Sequence, residues 1–157
     1  MSSVIVDADR SGGPLPFDVL FDQNDGATRI WMIRGTAPSG TRIGLHHHQG
    51  DEIWRVLRGR IRITVSDERF DCGPGELVVI PPNVKHGIVY LEADTETEVI
   101  GELGMGEWVT AIDSDGSRRE VEIHIEGVPW HRPPPDGRPP TDLTDFRAMH
   151  QSTHHLL

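Results

Sequence analysis

The sequence predicts an all-β fold, a sandwich or barrel of short strands, and three observations carry that expectation. Strand-like runs recur at close spacing, clusters of Gly and Pro separate them, and no segment before residue 140 sustains a helical period. In chain order the runs are Val19 to Asp22, Thr28 to Arg34, Thr41 to His48, Glu52 to Arg58, Arg60 to Ser66 and Arg69 to Cys72. They continue with Glu76 to Ile80, His86 to Glu92, Glu98 to Leu103, Trp108 to Ile112 and Arg119 to Ile125. The breaks are clearest at Gly35 to Gly40 and at Gly73 to Gly75.

Several runs announce their faces. Arg60 to Ser66 alternates strictly between polar and apolar residues, so one face is wet. Arg118 to Glu126 does the same, with Val121, Ile123 and Ile125 inward and Glu120, Glu122, His124 and Glu126 outward. Leu77 to Ile80 is apolar on both faces, which predicts a central strand or one covered outside by a partner subunit.

At 157 residues the chain has room for one core. A formal charge of −10 argues against a nucleic-acid or membrane-surface partner, since both select basic patches. No apolar run is long enough for a spanning helix, and Met1 to Arg10 lacks the basic and apolar regions of a signal peptide. One cysteine, Cys72, excludes an internal disulfide. The expected compartment is the cytoplasm.

Chemistry concentrates in His46-His47-His48-Gln49-Gly50-Asp51-Glu52. Side chains two apart on a strand share a face, so His46 and His48 point together and His47 points away. After a Gln49-Gly50 turn, Glu52 opens the next strand and can point back at both. Neutral imidazole and carboxylate are ligands of borderline divalent metals.

The wider pattern is Gly40-x5-His46-x-His48-x3-Glu52-x6-Gly59, followed by Gly75-x5-Pro81-x-Asn83-x2-His86. At these spacings the chain resembles the cupin superfamily. The resemblance implies a single double-stranded β-helix, or jelly-roll, barrel. It also implies a metal held by His46, His48 and Glu52 from the first motif and His86 from the second. Two positions depart from the family pattern: Asn83 stands for a turn glycine and Tyr90 for an asparagine. Asn tolerates positive φ, so the first change is mild. Tyr90 lies about 13 Å along the strand from His86, too far for a ligand, and lines the pocket or the core.

Three imidazoles and one carboxylate would saturate a tetrahedral Zn2+ site, whereas a six-coordinate ion keeps two positions for substrate or O2. Fe2+ is the ion the resemblance favours, with Mn2+, Ni2+, Co2+, Cu2+ and Zn2+ as alternatives. Strand alternation adds candidate substrate-binding residues. Arg42 shares the predicted face of His46 and His48, Trp54 that of Glu52, and Ile88 and Tyr90 that of His86, while Arg34 is a further candidate. Such a lumen suits a small planar, anionic or hydroxylated molecule, with Trp54 stacking and Arg42 pairing with a carboxylate or enolate.

The expected function is therefore a metal-dependent enzyme acting on a small enolic, aromatic or carboxylated substrate. The family leans this toward an O2-dependent dioxygenase. An isomerase, lyase, decarboxylase or polyketide-type cyclase, and a non-catalytic ligand-binding barrel, are the alternatives. Residues 1–127 are expected to form the barrel with its N-terminal strands. Residues 128–157 are expected to form a Pro-rich arm on the barrel or on a partner subunit, with a short helix over Thr141 to His150. A homodimer is what the resemblance implies.

Overall fold

Two antiparallel sheets face each other across one apolar interior. The structure, a computed structural model, describes residues 17–22, 25–102, 106–123 and 151–157. Its strands are β1 (Phe17–Phe21), β2 (Ile30–Ala37), β3 (Arg42–His48), β4 (Glu52–Arg58), β5 (Ile61–Val65) and β6 (Glu68–Cys72). They continue as β7 (Leu77–Ile80), β8 (His86–Tyr90), β9 (Thr95–Glu102), β10 (Glu107–Ile112) and β11 (Arg118–Ile123). One sheet has the order β1-β2-β9-β4-β7 and the other β11-β10-β3-β8-β5-β6. This is the all-β fold that the strand spacing predicts, in the jelly-roll form that the resemblance implies. The Pro-rich stretch 128–140 and the helix expected over 141–150 lie outside the described residues.

Alternation builds the core. Ile61 and Ile63 of β5, Ile88 and Tyr90 of β8, Val56 of β4 and Val99 of β9 are all buried and pack in one cluster. Their outward neighbours are polar, as where Arg62 pairs with Asp71 across β5 and β6 at 2.6 Å. Fully burying an Ile or Val contributes about 1.5–3 kcal/mol, so this cluster is the main source of stability.

Leu77 to Ile80 is not the central strand that one reading of its composition predicts. It forms β7 at the edge of its sheet, paired only with β4, and Leu77 and Val79 are 62% and 60% exposed. A run apolar on both faces does not by itself make a strand central, because edge position depends on pairing far along the chain. With Met32, Ile53, Arg55, Glu98 and Ile100, Leu77 lines a shallow outer groove of about 410 Å³ on this sheet.

The sheets diverge in what they carry. His46, His48 and His86 sit on β3 and β8 of the six-stranded sheet, and Glu52 sits on β4 of the five-stranded one. The Gln49-Gly50-Asp51 turn therefore changes sheet between the histidines of β3 and Glu52. Against β8, β3 is irregular between Ile43 and His46. Ile43 pairs with the buried Ile88 and His46 with His86, so both face inward despite their odd separation.

Gly59 links β4 to β5 at φ +77°, and a Cβ there would stand 2.3 Å from Thr95 Oγ1 and 2.8 Å from the Thr95 backbone. Gly116 has a similar φ of +83° but open space around it. Urea denaturation should show Gly116→Ala losing about 1–2 kcal/mol for the left-handed backbone alone, and Gly59→Ala losing at least about 1 kcal/mol more for the clash. Equal losses would remove the packing argument.

Candidate metal centre

Four buried side chains converge where the two sheets meet. His46 is 6% exposed, His48 1%, Glu52 5% and His86 0%. One potential ligand atom from each lies within 4.8 Å of every other. Asn83, which stands in a turn before β8, adopts φ +63°, and its N–H donates to the His48 carbonyl at 2.7 Å. That bond ties the second motif to the first.

The backbone sets the orientation of each imidazole. Nδ1 of His46 lies 2.8 Å from Gly44 O, Nδ1 of His48 2.8 Å from Gly50 O, and Nδ1 of His86 2.8 Å from Val84 O. A carbonyl only accepts, so each neutral ring carries its hydrogen on Nδ1 and turns the Nε2 lone pair inward. This is the carbonyl-supported arrangement that metal-bound histidines use. The Glu52 carboxylate is held in turn by a hydrogen bond from the Trp54 indole N–H to Oε1.

The electrostatics fit a cation. His48 Nε2 stands 2.8 Å from Glu52 Oε2, yet the two lack the alignment of a hydrogen bond. His86 Nε2 is 3.9 Å from the other carboxylate oxygen. Burial disfavours the charged form of His48, but Glu52, the Gly50 carbonyl and Glu107 together outweigh burial and raise its pKa. Burial likewise acts to raise the Glu52 pKa, but His48, His46 and the Trp54 N–H outweigh it and leave the carboxyl below its ordinary value. A buried carboxylate facing inward lone pairs is a site a divalent transition ion fits.

The other predicted residues divide. Trp54, Ile88 and Tyr90 are buried in the barrel core. The Tyr90 hydroxyl is 3.0 Å from Thr97 Oγ1, and burial pushes its pKa up to about 12. Arg42 does not share the face of His46 and His48. The irregularity in β3 puts Ile43 inward instead, and Arg42 is exposed, donating to the His154 carbonyl at 2.6 Å. Arg34 lies on the outer face of the five-stranded sheet, 2.7 Å from Glu98. It is not brought to the cluster. His47 points away, stacking on Trp108 at 5.2 Å with 9° between the rings.

Sequence reasoning missed Glu107. It opens β10, where the register pairs Glu107 with His48, Trp108 with His47 and Val109 with His46. Cross-strand partners share a face, so Glu107 lies on the side of His48 and is 7% exposed. Gln49 binds it to the site: its N–H donates to Gly106 O at 3.1 Å and its Oε1 accepts from Gly106 N at 3.3 Å. The signal was present in the alternation Glu107, Val109, Ala111, but the predicted strand began one residue late at Trp108.

Burial first, and then the charge of Glu52, push the Glu107 pKa up to about 7, with His48 opposing. A folded-state pKa above the ordinary carboxyl value means that the native chain holds a proton the unfolded chain releases. The associated stability is fully present below about pH 4.5 and is lost as the pH rises to about 7. Glu107→Gln should therefore be more stable than the parent at pH 8 by roughly 2–3 kcal/mol, with little difference at pH 4. Denaturation of both proteins after metal removal by a chelator checks this, and a Gln variant that is weaker at pH 8 would refute it.

Comparison with known proteins agrees with this geometry. Residues 34–100 match the family model described as the Cupin domain. An uncharacterized protein of Methanocaldococcus jannaschii is 36% identical over 58 residues, 36% of this chain and 46% of its own, so the match spans about half of that relative. Among solved structures, KdgF from a Halomonas species aligns with a TM-score of 0.56 at 19% identity, covering 65% of this chain and 94% of its own. The polyketide cyclase RemF from Streptomyces resistomycificus aligns with a TM-score of 0.54 at 21% identity, covering 75% and 80%. The Cupin domain match over residues 34–100 spans both motifs, and these converge at one buried cluster within the jelly-roll barrel.

Proposed function

We propose that the protein is a metal-dependent cupin enzyme that activates a small oxygen-bearing organic substrate at a divalent ion held by His46, His48, Glu52 and His86. The observation that carries this reading is the set of three imidazoles whose Nδ1 atoms each meet a backbone carbonyl at 2.8 Å while their Nε2 atoms turn toward Glu52. A six-coordinate ion there supplies Lewis-acid polarisation of a bound oxygen or, as Fe2+, redox chemistry with O2. The chain does the rest. Trp54 fixes the carboxylate, the three carbonyls fix the rings, and Val56, Ile88 and Tyr90 keep the adjoining interior apolar.

Between the two chemistries, the family resemblance favours an Fe2+-dependent dioxygenase. The Lewis-acid reading, an isomerase, lyase, decarboxylase or cyclase, has the support of RemF, a solved polyketide cyclase of similar fold. Oxygen uptake by the Fe2+-loaded protein with enolic and aromatic compounds favours the first. Turnover without oxygen favours the second.

Elemental analysis of the tag-free protein should find near-stoichiometric divalent metal in the parent and in His47→Ala, and almost none in His48→Ala or Glu52→Ala. Trp54→Phe keeps the ring but loses the N–H that holds Glu52, and its metal affinity should fall about 10–100-fold. Equal metal content in all five proteins would sink the site. Absence of metal from all of them, even after reloading, would leave a non-catalytic binding barrel.

A further inference from the structure

Glu107 has no part in holding the ion. It is 93% buried, and among the described residues no hydrogen bond or ion pair engages its carboxylate. It also lies outside the group of four whose ligand atoms gather within 4.8 Å. Yet the register with β3 places it on the inward face beside His48, close enough for the charge of Glu52 to oppose its own. A carboxylate this far buried without a protein partner is costly, and native chains retain such a group where a ligand or water in the interior space satisfies it.

We infer that Glu107 reads the substrate: its carboxylate accepts a hydrogen bond from an O–H or N–H group next to the oxygen that binds the ion. This inference rests on the metal-dependent reading above, and it narrows the substrate class. A chelating hydroxy-carbonyl, enol or amide places a donor where Glu107 can accept it. A molecule with a second carboxylate in that place meets a like charge and is rejected. Glu107 is thus a specificity-determining residue, one bond beyond the ligand set.

Oxalate and oxamate test this, because they differ by one carboxylate replaced by a carboxamide with N–H donors. Their binding is followed through the visible absorption of the Co2+-loaded protein. The parent should favour oxamate over oxalate more strongly than aqueous Co2+ does. In Glu107→Leu, oxamate affinity should fall about tenfold while oxalate affinity holds or rises, and in Glu107→Gln oxalate affinity should rise about tenfold. A purely through-space effect of the lost charge strengthens both anions and would overturn the inference, as would unchanged affinities. Loss of stoichiometric Co2+ binding in Glu107→Gln would also overturn it, by making Glu107 part of the ion-holding set. If neither variant folds, the parent decides alone: a preference no greater than that of the aqueous ion refutes the proposal. A parent that binds no Co2+ marks failure of the metal reading itself, and the inference falls with it.

Discussion

A carboxylate on one sheet and three imidazole lone pairs on the other must share one small buried space, and the rest of the site follows from that requirement. Leaving Glu52 charged at 5% exposure would cost several kcal/mol if nothing offset it. The Trp54 indole offsets part, and the attraction between Glu52 and His48, which raises the His48 pKa, offsets part. A dication would offset more, because the carboxylate and all three imidazoles would hold it. The carbonyls of Gly44, Gly50 and Val84 make this arrangement rigid. Each occupies an Nδ1, so no ring can turn its lone pair away without leaving a buried donor unpaired.

The same low-dielectric interior sets the charge balance for a ligand. With Glu52 ionised, a dication leaves one net positive charge on the four-ligand centre. An ionised Glu107 beside it would remove that excess. A substrate bound there would meet a nearly neutral centre, in which the charge and hydrogen-bonding of the group next to Glu107 decide what fits. The surrounding apolar cluster of Val56, Ile61, Ile63, Ile88, Tyr90 and Val99 can carry the penalty. Each side chain contributes about as much stability as one unsatisfied polar group removes.

Period-two alternation is local, and what depends on it was legible. It placed His46 with His48, turned His47 away, and put Trp54 on the face of Glu52, and Asn83 adopts the positive φ its side chain tolerates. What failed depends on partners distant in sequence. Arg42 was misplaced because β3 slips register against β8 between Ile43 and His46, where Gly44 is the one local mark of a bulge and does not by itself say that the face switches. Leu77 to Ile80 looked central because composition does not reveal which strand lies next to it. Glu107 was overlooked because a carboxylate at a strand's first residue reads as solvated, and only its pairing with His48 shows otherwise.

That register slip is also what brings the candidate ligands His46 and His86 into phase. Regular pairing from Ile43 onward would turn His46 away from the face of His86, since the two positions differ by an odd number of residues. The irregularity leaves the Leu45 N–H to find an acceptor, and it donates to Thr153 Oγ1 at 2.9 Å, with Thr153 fully buried. Around that bond the chain's last residues grip the outer face of the six-stranded sheet. Arg42 holds the His154 carbonyl, Arg69 the Leu156 carbonyl, and Ser152 Oγ accepts from Ile112 N. Leu157 comes to rest over Gly87, where any Cβ would lie 2.5 Å from its side chain. Gly87 stands between the ligand His86 and the core residue Ile88, so the segment presses on the strand that carries one ligand and caps the kink that aims two others. Residues 151–157 thus act from outside the barrel as a brace for the geometry within it, and Arg42, out of reach of the ion, contributes through that brace.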